Sequence, residues 1–126
     1  MGSRSDTLLE KSPGGKRAVI LEVAVLDVRP GQEESFQQDF QRAQCLIQSM
    51  EGYCSHELQR SIERRSRFIL LVRWETLEDH IEGFRNSPEY QEWKILLHHY
   101  YDPFPEVEHY ESVLGERGPD QSRRSP

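Results

Sequence analysis

Cysteine is scarce in this chain: two residues, Cys45 and Cys54, among 126. They form neither a CxxC pair nor a disulfide framework, which points to a cytoplasmic setting with reduced thiols. No apolar run approaches the ~20 residues a membrane-spanning helix needs, and no basic start leads into a signal-like apolar stretch. Positive charge is in short supply as well: 16 Lys and Arg face 22 Asp and Glu, a formal net charge of −6. That balance argues against a nucleic-acid or anionic-membrane partner, since either needs a basic patch. Several catalytic signatures are missing. There is no HExxH and no Cys/His zinc spacing, so no metal site is expected. There is no GxSxG, and Cys45 lies beside an apolar helical stripe, where a thiol is usually inert. Without a Gly-rich phosphate loop or dinucleotide fingerprint, no flavin or nicotinamide cofactor is expected.

What is present is concentrated in the middle. Residues 1–17 and 115–126 are rich in Gly, Ser, Pro and charge without periodicity, and read as mobile tails. Residues 18–114 read as one domain, in a chain long enough to bury about two-thirds of its surface. Ala18 to Val28 is a β-branched run closed by Pro30-Gly31. Gln32 to Met50 then switches to helical spacing, with Phe36, Phe40, Ala43, Ile47 and Met50 on one stripe and Gly52 as a left-handed stop. Tyr53 to Ile62 and Arg67 to Glu75 predict a hairpin about the charged turn 63–66. Thr76 to Asp79 resembles a capping box, with Leu77, Ile81 and Phe84 expected on the buried face of the helix that follows. Ser87-Pro88 restarts a helix carrying Tyr90, Trp93 and Leu97, and Val107 to Val113 is a last strand.

The order β-α-β-β-α-β predicts an α+β, ferredoxin-like fold: a four-stranded antiparallel sheet with both helices on one face. Yet both faces of the strands are apolar. Leu21, Val23 and Val25 oppose Ile20, Ala24 and Leu26, while Ile69 and Leu71 oppose Phe68, Leu70 and Val72. The helices cover one face only. The other needs a cover, and a second copy of the chain, sheet on sheet, is the economical one.

The stretch RFILLVRWETLEDHIEGFRNSPEYQEW, from Arg67 to Trp93, is similar to the signature of the antibiotic biosynthesis monooxygenase domain family. Its marks are a strand ending in Trp74, then Glu75, a helical His80, Phe84, Ser87-Pro88 and Tyr90. The opening LEVAVLDVRPGQEESF and the closing EVEHYESV fit the family's first and last strands. The resemblance implies a dimeric α+β barrel. For activity it implies cofactor-independent oxygenation of a small aromatic or quinol-like substrate. Second to that stands a non-catalytic dimeric ligand-binding or stress-response module, and third an isomerase or decarboxylase-like member of the same superfamily. Haem degradation fits poorly: those relatives use an axial His where this helix reads YQEWKIL, and a first-strand Asn where this chain has Leu21-Glu22-Val23.

Two residues stand out as candidate bases. His80 borders the apolar face of its helix, where it would face a cavity as a base or sit hydrogen-bonded at a helix–sheet seam. Glu22 interrupts an apolar strand, which marks a polar pocket with a shifted pKa or an ion pair across a dimer seam, with Arg73 as its partner. Trp74, Phe84, Tyr90, Trp93, Tyr100, Tyr101 and Phe104 supply aromatic walls, either plain core or a box for a flat ligand. Arg85 would steady a phenolate or enolate, or be a solvated helix residue. HHYYDPFPEVEHY, from His98 to Tyr110, reads as a helix end, a rigid loop and a return strand at a cavity rim, with His99, Tyr101 and an inward Phe104 at its mouth. His56 and His109 are too scattered along the chain to support any spacing argument.

Overall fold

The computed structural model describes residues 19–115, and its order is the expected one. Strand β1 (Ile20–Asp27) leads to helix α1 (Glu33–Gln48), followed by β2 (Tyr53–Arg60) and β3 (Arg67–Trp74). A π-helical segment (Asp79–Phe84) precedes α2 (Pro88–Leu97), a 3₁₀ turn (His98–Tyr100) and β4 (Val107–Glu111). The four strands form one antiparallel sheet in the order β2-β3-β1-β4. The first strand is thus central and the last strand is an edge, which is the ferredoxin-like α+β fold. The register places Glu22 of β1 opposite Val72 of β3 on one side and His109 of β4 on the other.

Period-two alternation sorts the strands by face. Ala24 and Leu26 of β1, with Phe68, Leu70, Val72 and Trp74 of β3, are buried beneath the helices. Onto them α1 lowers Phe36, Phe40, Ala43 and Ile47, all buried. The Phe36 ring meets Phe68, Tyr100 and Tyr101 edge-on, with centroids 5.0 to 5.9 Å apart, a favourable aromatic geometry. Leu21, Val23, Val25, Ile69 and Leu71 lie on the opposite face, half-buried by their strand neighbours or, for Val25, exposed.

The local signals mostly act as read. Gly31 and Gly52 take φ of 90° and 83°, backbone conformations that a side chain disfavours. Ser87 caps α2 by accepting the Tyr90 N–H at 3.1 Å, with Pro88 in the first turn. Thr76 likewise accepts the Asp79 N–H at 3.1 Å. One expectation is corrected. The segment after Thr76 buries His80 and Phe84, while Leu77 and Ile81 stay 37% and 38% exposed. The reason is its winding: Arg85 N–H donates to the His80 carbonyl five residues back, at 3.1 Å, a π-type bond. The wider turn presents 80 and 84 to the sheet. β4 also ends at Glu111, leaving Val113 exposed. Apart from Gly115, the two end segments read as tails lie outside the described residues. Among those described, no helix is long and apolar enough to cross a membrane.

Candidate functional site

Glu22 occupies the helix-facing row of the central strand, and only 6% of it is exposed. A carboxyl taken from water needs donors. Trp74, the last residue of β3, supplies one, its indole Nε1–H donating to Glu22 Oε1 at 2.9 Å. His80 supplies the next neighbour: its Nε2 lies 3.4 Å from the same oxygen, a contact slightly longer than a made hydrogen bond. The imidazole lies nearly flat on the Trp74 indole, with centroids 5.4 Å apart and an interplanar angle of 23°. The other nitrogen, His80 Nδ1, meets His109 Nε2 at 2.8 Å. Glu22, His80 and His109 therefore form a line with the His80 ring in its middle.

Electrostatics follow from burial. Desolvation raises the Glu22 pKa from 4.5 to about 7, against the lowering effects of the Trp74 hydrogen bond and the Arg85 charge. Desolvation also lowers His80 from 6.5 to about 3, helped by Arg85 and His109. His109 is lowered too, by burial first and then by Arg85. Burial thus favours the uncharged form of both rings and of the Glu22 carboxyl.

Glu22 forms part of the wall of a cavity of about 330 Å³ between the sheet and the second half of the chain. The sheet contributes Ala24, Leu26, Leu70 and Val107; the π-helical segment and its end contribute His80, Phe84 and Arg85. Tyr90 and Trp93 come from α2, and His98, Tyr101, Phe104 and Pro105 close the rim. Burial raises the phenol pKa of Tyr90 and of Tyr101. The volume suits a small ligand, and the lining is mainly apolar, with the rings of Phe84, Tyr90, Trp93, Tyr101 and Phe104 and a few convergent polar groups.

Several sequence expectations are relocated. Trp74 is fully buried behind the cavity, where it backs three of the wall residues, Glu22, His80 and Phe84. His99 lies outside: it is exposed and bonds the Leu96 carbonyl at 3.1 Å. The 3₁₀ turn aims its neighbour His98 at the cavity instead, where it packs on Phe104 at 4.9 Å. Phe104 is not held inward but is 60% exposed at the rim. Tyr100 packs against Phe36, and its hydroxyl donates to Asp39 at 2.5 Å, away from the cavity. Arg73 pairs in register with Leu21 on the opposite face, so Glu22 is not its partner. Arg85 combines both readings, solvent-exposed and lining the cavity. His109, which supports no spacing argument along the chain, joins the site because its contact with His80 spans 29 residues and exists only through strand pairing. Among the described residues no three His, Cys, Asp or Glu converge as metal ligands. Both His80 nitrogens point at different neighbours, so the line has no common centre.

The description "antibiotic biosynthesis monooxygenase" belongs to the family model that matches residues 19–94. The chain belongs to this family. The chain is 50% identical over 95 residues to the uncharacterised protein YczJ of Bacillus subtilis, covering 75% of this chain and all of YczJ. A Bordetella bronchiseptica structure, assigned by name to antibiotic biosynthesis monooxygenases, is 36% identical with a TM-score of 0.74, covering 77% of this chain and 99% of that one. SnoaB, a cofactor-independent oxygenase from Streptomyces nogalater, shares the fold at 16% identity and a TM-score of 0.62, over 82% of this chain and 99% of SnoaB.

Proposed function

We propose that this family member is a cofactor-independent monooxygenase acting on a small, flat, acidic aromatic such as a quinol or an anthrone. The observation that carries the reading is Glu22, a carboxyl with a pKa near 7 in the wall of an aromatic cavity. A base with that proton affinity is matched to work at neutral pH. His80 is the weaker choice, because both of its nitrogens face neighbours and its pKa is about 3. In this reading Glu22 takes the acidic proton, and Arg85 at the cavity wall steadies the resulting anion. The electron-rich anion then reduces dioxygen directly. For an anthrone, the methylene carbon becomes a carbonyl: one oxygen atom enters the product, and the other leaves as water with the two methylene hydrogens. Family membership and the cofactor-independent oxygenase activity in SnoaB's name support the reading.

The same reading includes a symmetric dimer. The helix-free face of Leu21, Val23, Val25, Ile69 and Leu71 is an apolar surface of the kind a second sheet covers.

The deciding experiment is oxygen uptake by the metal-stripped protein with a panel of quinols and anthrones, autoxidation subtracted. Saturable uptake is expected, falling about a hundredfold or more in Glu22→Gln. Unchanged uptake in that variant would remove Glu22 from the chemistry. No uptake across the panel, with saturable binding of an aromatic dye, would replace the oxygenase with a binding module. Product formed without oxygen would instead indicate an isomerase or decarboxylase.

A further inference from the structure

We infer that Glu22, His80 and His109 work as one proton-transfer chain joining the cavity to the edge of the sheet. The inference deepens the proposed function and rests on its reading of Glu22 as the proton acceptor. Its basis is the line of contacts: Glu22 Oε1 to His80 Nε2 at 3.4 Å, then His80 Nδ1 to His109 Nε2 at 2.8 Å. The inner members are buried, with Glu22 6% and His80 3% exposed. His109 is half-buried on β4, the edge strand. Proton affinity thus changes hands from a closed interior to a place water can reach.

The two rings admit two neutral arrangements, related by one proton. With Glu22 ionised, His109 Nε2–H donates to His80 Nδ1, and His80 Nε2–H points at the carboxylate. With Glu22 protonated, its O–H points at His80 Nε2, His80 Nδ1–H donates to His109 Nε2, and His109 carries its proton on Nδ1. Passing from the second to the first takes three concerted hops. The carboxyl proton moves to His80 Nε2, the His80 Nδ1 proton moves to His109 Nε2, and the His109 Nδ1 proton leaves to water. Each hop breaks one O–H or N–H bond and makes another, nothing is oxidised or reduced, and neither ring becomes an imidazolium.

The route answers a difficulty the cavity creates. A substrate that fills the cavity and closes its mouth over protonated Glu22 would trap that proton and leave no base. The chain lets the proton depart through the back of the site, so that a carboxylate faces the bound substrate. The groups that face this line are Trp74 of β3, Arg85 at the end of the π-helical segment and Tyr90 of α2. Arg85 favours the carboxylate and disfavours charge on either ring, which keeps the transfer neutral.

The test is NMR on the full chain labelled with ¹⁵N in histidine and ¹³C at the glutamate carboxyls. As Glu22 loses its proton, His80 and His109 should both change from the Nδ1–H to the Nε2–H tautomer, with one midpoint shared by all three groups. In Glu22→Gln both rings should keep a single tautomer across about pH 5 to 8. The chain is overturned if either ring keeps its tautomer in the wild type, if the midpoints separate, if His109 becomes an imidazolium at that midpoint, or if the switch survives in Glu22→Gln. The readout is independent of turnover. Inactivity towards anthrones would leave the chain standing, and a failed tautomer switch would leave Glu22 as an isolated acceptor.

Discussion

Glu22→Gln should change not only activity but the way stability depends on pH. The wild-type carboxyl is raised in the folded state, from 4.5 to about 7, chiefly by desolvation. Between those values the folded chain holds a proton that the unfolded chain has released. Stability therefore falls as pH rises through this window, because ionising the buried group is harder in the fold than outside it. At about 1.4 kcal/mol per pH unit, the whole window is worth about 3 kcal/mol. Glutamine keeps the shape and an oxygen for the Trp74 N–H, and has nothing to ionise. The variant should thus gain on the wild type by about 3 kcal/mol between pH 4.5 and 7, with the gap constant above that. His80 acts in the opposite sense. Its folded value is depressed from 6.5 to about 3, so its contribution is lost as pH falls. Comparing the two proteins at each pH cancels that contribution while His80 stays buried. Urea denaturation at fixed protein concentration, repeated across the window, measures the gap. Parallel stability curves would show that Glu22 titrates as an ordinary carboxyl, and the account of the site as desolvated would fail.

Four further outcomes are expected. Trp74→Phe removes the hydrogen bond that lowers the Glu22 pKa, so ¹³C NMR should find that carboxyl raised further, by about one to two pH units; no change would mean the indole does not hold the carboxylate. Gly52→Ala should destabilise by about 1–3 kcal/mol in urea, because φ is 83° and the new methyl would overlap the Asp79 side chain. Gly31→Ala, at φ 90° with nothing nearby, should cost only about 1 kcal/mol, and equal losses would refute the packing argument. Leu71→Arg on the helix-free face should halve the mass seen by sedimentation, and a wild type that already sediments as one chain would dispose of the dimer.

Elements were legible in the sequence wherever a local rule decided them. The Phe36, Phe40, Ala43 and Ile47 stripe needed only helical periodicity, and all four are buried. Ser87-Pro88 needed only capping chemistry. The oddity of Glu22 was visible too, since a carboxylate amid Ile20, Ala24 and Leu26 breaks the apolar pattern of its strand. The winding after Thr76 was not legible, because α and π turns differ by one residue in hydrogen-bond reach, and tertiary packing chooses between them. It moved Leu77 and Ile81 out and His80 in.

The site shows the same division more sharply. Composition and spacing alone determined the split βαβ order, the doubly apolar strands and a polar residue in the first of them, since these depend on neighbours along the chain. Only the fold decided who meets Glu22. Trp74, His80 and His109 lie 52, 58 and 87 residues away from it, and they converge because β1 pairs with both β3 and β4 while the π-helical segment lays an imidazole over the seam. Strand register and a helix's winding are set by the packing of the whole core, which no local stretch encodes.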